Sequence, residues 1–148
     1  MSKHLISFGH GYSAQALSRI LSTQGWTVTG TSRTEERDAA IRASGATPLR
    51  FPGPDVGHAL SRATHILSSV GPNETGDPVL AELRDAIALR APHLEWVGYL
   101  STTGVYGDHG GGWVDETTPL APSTRRGKWR KAAEEEWAAI PDLPLHIF

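Results

Sequence analysis

Short apolar runs alternate with helical stripes along this chain. Leu5-Ile6-Ser7-Phe8 reads as a first strand. Between Ala14 and Thr23, apolar residues fall at 14, 16, 17, 20 and 21, which is one face of a helix, and Gly25 follows as its stop. Thr27 to Thr31 reads as a second strand. Ser32-x-x-Glu35 has the form of a capping box, opening a helix that ends near Gly45. Thr47 to Phe51 is a weak third strand, Val56 to Ala63 a short helix, and His65 to Ser69 a fourth strand before a Gly-Pro-Asn turn. Asp77-Pro78 has the form of an N-cap with proline in the first helical position, and the helix runs to about Arg90. Glu95 to Leu100 is a fifth strand. A loop rich in Gly, Pro and Thr spans Gly107 to Pro122, a helix spans Ser123 to Ala139, and Leu145 to Phe148 opens a sixth strand.

Strands joined by crossover helices predict an α/β fold, a Rossmann-type doubly wound parallel sheet. At 148 residues the chain is the size of one domain, 1–148. It stops inside an apparent strand, so we expect a fragment of a longer protein, truncated after the start of the sixth strand. The alternative is a strand that ends at Phe148 with nothing missing.

Composition narrows the function classes. Fourteen basic against sixteen acidic side chains give a net charge of -2, which argues against a nucleic-acid partner. The chain has no cysteine, which removes disulfides and thiolate metal sites and fits a reducing compartment. No apolar run approaches membrane-spanning length, so the expectation is a cytoplasmic protein. The seven histidines show no H-x-x-x-H or H-E-x-x-H spacing, so no metal site is expected.

The strongest local chemistry is Gly9-His10-Gly11-Tyr12-Ser13-Ala14, which fits G-x-G-x-x-G/A between a strand and a helix. Gly9 permits a tight turn, Gly11 lets backbone approach a diphosphate, and Ala14 is small enough for close helix–strand packing. The helix start offers unpaired N–H groups and a positive dipole end to phosphate. His10 either touches the cofactor or faces solvent. An NAD site places an acid about 20 residues beyond the glycines. Here the second strand instead leads into Ser32-Arg33-Thr34. A guanidinium suits a 2′-phosphate, so the expected cofactor is NADP rather than NAD.

Tyr99-Leu100-Ser101-Thr102-Thr103-Gly104-Val105-Tyr106-Gly107 resembles the fifth-strand signature of extended short-chain dehydrogenases/reductases, the group of nucleotide-sugar epimerases and dehydratases. Trp113-Val114-Asp115-Glu116-Thr117-Thr118-Pro119 is similar to the loop that follows it. The likeness is strongest to atypical members with a G-x-G-x-x-G/A turn. It implies that Thr102 polarises a substrate carbonyl or hydroxyl, that Asp55 lies near the adenine, and that Ser69, Val70, Gly71 and Ser101 line the cofactor. It implies hydride transfer with a small-molecule substrate, and a homodimer paired through the helices flanking the fourth and fifth strands.

The chain departs from that group where its Tyr-x-x-x-Lys base belongs. Those positions fall on Arg126 and Arg130, and no tyrosine follows Tyr106. Arginine does not serve as a general acid or base near neutral pH. Spaced by four, the two arginines share a helix face, where they bind an anionic substrate or stabilise an oxyanion. The alternative is a solvated helix with internal pairs Arg130–Glu134 and Lys131–Glu135. The proton donor is left open among Tyr12, Tyr106, Asp108, His109 and Glu116. Two functions follow: an NADP-dependent epimerase/dehydratase-like enzyme or reductase, or a sensor that holds NADP(H) without turnover.

Overall fold

The computed structural model describes residues 2–148. Its elements are β1 (His4–Phe8), α1 (Tyr12–Thr23), β2 (Thr27–Ser32), α2 (Asp38–Ala43), β3 (Thr47–Arg50), α3 (Val56–Arg62), β4 (His65–Ser68), α4 (Pro78–Arg90), β5 (Trp96–Tyr99), α5 (Arg125–Ala138) and β6 (Leu145–Ile147). Three-residue or four-residue 3-10 turns stand at Glu35–Arg37, Ala91–His93 and Thr103–Tyr106. The six strands form one sheet in the order β3-β2-β1-β4-β5-β6, and every neighbouring pair is parallel. The doubly wound expectation therefore holds, sixth strand included. The order reverses between β1 and β4, which opens a crevice beyond their carboxyl ends.

Side-chain alternation along the strands sorts the core into two layers. Ile6, Phe8, Ile66, Val97 and Tyr99 pack against Val56 and Leu60 of α3, Leu80 and Ile87 of α4, and Trp137 of α5. Leu5, Val28 and Leu67 face the other way, onto Ala14 of α1 and Ile41 of α2. All five residues of β1 are buried, as a central parallel strand covered on both faces requires. Each fully buried Leu, Ile or Phe contributes about 1.5–3 kcal/mol of transfer free energy.

The start of α4 follows the expectation. Asp77 caps α4, its Oδ1 accepting from Val79 N at 2.9 Å and Leu80 N at 3.0 Å. Thr124 caps α5 through Gly127 N at 3.0 Å. The helix expected from Ser32 to Gly45 is corrected. Ser32 ends β2, and a 3-10 turn precedes a six-residue α2. The capping box does not form because the Ser32 hydroxyl donates to Thr34 O at 3.0 Å and accepts from Arg50 Nη1 at 2.6 Å. Strand three stops at Arg50, and Phe51 turns into the core against Phe8, ring centroids 5.3 Å apart. No helix of the described residues is long and apolar enough to cross a membrane.

Candidate dinucleotide site

The glycine turn leaves β1 at the point where the strand order reverses. Gly9 has φ +71, a conformation that disfavours any side chain. A Cβ there would also lie 2.9 Å from Val70 Cγ2. The turn is held from both sides. Gly9 N donates to Thr31 Oγ1 at 3.0 Å, and His10 N donates to Thr31 O at 3.3 Å. From β4, the Ser69 hydroxyl donates to the carbonyl oxygens of Phe8 and Gly9. Ser69 thus braces the turn from behind, and half-buried Val70 packs beneath Gly9.

Gly11 is different. Its φ is -91, and an added Cβ would meet only the Gly9 carbonyl oxygen, at 3.8 Å. Among the described residues no other atom crowds this side of the turn, so the missing side chain leaves space for a ligand to meet bare backbone. Helix α1 begins at Tyr12, two residues earlier than the apolar stripe indicated. Gln15 N makes the first helical bond, to Gly11 O at 2.8 Å. The N–H groups of Tyr12, Ser13 and Ala14 precede it without a helical acceptor. The first turn has neither an acid nor a side-chain cap, so its positive dipole end is unneutralised. Ala14 is buried between Leu5, Val28 and Ile41, the close packing expected of the third slot. These features fit a dinucleotide diphosphate.

His10 needs correction as a cofactor-touching side chain. The residue is 2% exposed and its ring is turned inward. It lies on Gly30, where a Cβ would come within 2.6 Å of the His10 Cγ. Its Nε2 bonds Ser44 Oγ at 2.9 Å. Burial pushes its pKa down to about 4.

At the carboxyl end of β2, Arg33 and Thr34 are exposed, as are Glu35 and Glu36. The sequence did not single out Arg50, which stands opposite Ser32 in the β2–β3 register. Its guanidinium bonds both Asp38 carboxylate oxygens, at 3.1 and 3.0 Å. Asp38 neutralises Arg50, while Arg33, next to Ser32, has no ion pair among the described residues. The one signal for Arg50 was a lone charge near the end of a β run. Asp55 is exposed at the start of α3 and makes no capping bond; Gly71 is exposed beyond β4.

The carboxyl end of β5 gathers a second group of residues. Thr102 is exposed, and its Oγ1 accepts from Gly104 N at 3.3 Å. The Ser101 hydroxyl is engaged by the Glu134 carboxylate of α5. Arg130 Nη1 donates to Leu100 O at 2.6 Å, and its guanidinium lies 5.8 Å over the Tyr99 ring. The Arg130–Glu134 pair of the solvated-helix alternative does not form: each partner turns instead to the end of β5. The Lys131–Glu135 pair is present at 3.8 Å. Arg126, one turn earlier, is exposed, and no acid stands in the first turn of α5. Tyr99, which the sequence gave no chemical role, is fully buried and its hydroxyl has no hydrogen-bond partner among the described residues. Burial pushes its pKa up, partly opposed by the charge of Arg130.

No family model matches the chain. Over 98% of its length it is 30% identical to Protein YeeZ of Escherichia coli K12, of which it spans 57%. The solved structure of a functionally unknown conserved protein from Silicibacter pomeroyi matches 99% of the chain at 58% identity with a TM-score of 0.94, over 51% of that protein. A dTDP-glucose 4,6-dehydratase from Bacillus anthracis, solved in complex with NAD, matches 99% of the chain at 17% identity with a TM-score of 0.74, over 54% of that enzyme. The chain thus spans about half the length of the relatives it matches, and the last likeness is one of fold.

Proposed function

We propose that this chain, which carries the fold of the amino-terminal part of extended short-chain dehydrogenase/reductase proteins, binds NADP(H) and forms the cofactor half of an oxidoreductase or epimerase/dehydratase-like enzyme. The substrate class is a sugar nucleotide or another hydroxyl or carbonyl compound. One observation carries the reading: the acid-free opening of α1 behind Gly9 and Gly11 lies at the β1–β4 crevice, with Arg33 exposed at the end of the adjacent strand.

In this reading the N–H groups of Tyr12, Ser13 and Ala14 hold the diphosphate. Arg33 and Thr34 take the 2′-phosphate, with Ser32 as their fixed neighbour. Asp55 lies toward the adenine, and Val70, Gly71 and Ser101 line the remainder of the cofactor's path. When bound, the nicotinamide supplies hydride transfer. Thr102 presents its hydroxyl to the substrate oxygen. Arg126 attracts an anionic substrate, while Arg130 closes the end of β5 through Leu100 O. A homodimer and a cytoplasmic location complete the proposal.

A specific observation favours a second reading, a non-catalytic NADP(H) sensor: arginines 126 and 130 occupy the positions where the resembling enzymes carry their base. Turnover separates the two. NADPH oxidation across a panel of nucleotide sugars and carbonyl compounds, lost in Thr102→Ala, supports the enzyme. Tight NADPH binding with no turnover on any of them supports the sensor.

A further inference from the structure

His10 occupies the variable slot between two glycines whose backbone is meant for a ligand, yet its side chain leaves that ligand side altogether. The ring crosses β2 over Gly30, the one residue type that leaves room for it, since a Cβ at position 30 would come within 2.6 Å of the ring. It then reaches Ser44 at the carboxyl cap of α2, with 2.9 Å between Nε2 and Oγ.

The hydrogen bonds fix its chemistry. Ser44 Oγ has one proton, and donates it to Ile41 O at 2.6 Å. Toward His10 it is therefore an acceptor, so Nε2 carries a hydrogen. Nδ1 is buried with no partner among the described residues, where a hydrogen would go unsatisfied, so it is the bare nitrogen. The imidazole is thus a neutral, single-tautomer strut.

Helix α2 has a tether near its other end as well. Asp38, its first residue, holds Arg50, and Arg50 holds Ser32 beside Arg33. One short helix is therefore bonded at its carboxyl end to the diphosphate turn, and at its amino end to the tip of β2. We propose that His10 is a positioning residue of the dinucleotide site, fixing the spacing between the diphosphate turn and Arg33, and so setting the preference for a 2′-phosphate.

This inference rests on the proposed NADP(H) site and has its own readout. The diphosphate turn serves NADPH and NADH alike, whereas only NADPH needs the turn and Arg33 at a fixed separation. Loosening the strut therefore lowers the ratio of NADPH to NADH affinity, beyond any common loss. The test is fluorescence titration of both reduced dinucleotides on wild type, His10→Phe, Ser44→Ala, the double variant and His10→Gln. Folding of each variant is checked by circular dichroism.

We expect His10→Phe and Ser44→Ala each to reduce the affinity ratio by roughly five- to tenfold. Because both remove the same bond, the double variant reduces it no further than His10→Phe alone. His10→Gln, which restores an N–H donor, recovers part of the ratio. If wild type binds NADPH preferentially and folded variants keep its ratio, the strut is refuted while the proposed cofactor site stands. If wild type binds neither dinucleotide, the site and the strut fall together.

Discussion

Trp137 of α5 donates its indole N–H to Asp77 Oδ2 at 3.0 Å, while Asp77 Oδ1 caps α4. One buried carboxylate thereby joins two helices on the same face of the sheet. Arg84 reinforces the joint through Glu136 at 2.9 Å, and Glu136 Oε1 accepts from Asp77 N at 3.3 Å. Asp77→Ala removes the cap, worth about 0.5–2 kcal/mol. It also leaves a buried indole N–H unpaired, at about 1–3 kcal/mol. We predict a total loss of about 2–4 kcal/mol by urea unfolding, with Asp77→Asn milder. A loss under about 1 kcal/mol for Asp77→Ala contradicts this account of the joint.

Gly9 and Gly11 separate folding from binding. Gly9→Ala must adopt a positive φ and press on Val70, a strain of about 1–2 kcal/mol from the backbone alone. Gly11→Ala meets open space at an ordinary φ, and we predict a stability change within about 0.5 kcal/mol. The same Gly11 variant should weaken dinucleotide binding at least tenfold, because the new methyl would occupy the place proposed for the diphosphate. Equal stability losses for the two variants, or undiminished binding by Gly11→Ala, count against the assigned roles.

Acid should loosen the protein through His10. Its folded pKa is about 4, against about 6.5 in the unfolded chain. The unfolded state takes the proton first as pH falls. Stability is therefore whole above about pH 6.5 and is lost progressively toward pH 4, by up to about 3 kcal/mol. His4 and His65 are also lowered by burial and act in the same direction. Urea midpoints at pH 7.5 and 4.5 test this. The drop should be smaller in His10→Phe than in wild type, and equal drops would remove His10 as the cause.

How far the sequence carries the site depends on distance along the chain. The strand–turn–helix around Gly9 was legible because its determinants are consecutive. So was the Asp77-Pro78 cap, set by residues two and three positions away. Strands β4 and β5 came within a residue or two of their bounds, since apolar runs mark buried parallel strands directly. What was hidden depends on pairing across the sheet. Ser32 read as a helix cap because Glu35 stood at the right offset, but the competing partner, Arg50, arrives only when β2 and β3 lie in register. His10 read as touching the cofactor or facing solvent, and neither holds, because its destination, Ser44, is 34 positions away. Arg130 and Glu134 fit a local helical pair, yet both find their partners at the end of β5.

The central claim is a dinucleotide site that reads a 2′-phosphate through Arg33. Equilibrium titration of the wild-type chain and Arg33→Ala with NADPH and NADH tests it most directly. NADPH should bind wild type at least about tenfold more tightly than NADH, a difference of about 1.4 kcal/mol, and Arg33→Ala should abolish that margin while leaving NADH binding in place. Binding of neither dinucleotide, or tighter binding of NADH by the wild-type chain, contradicts it.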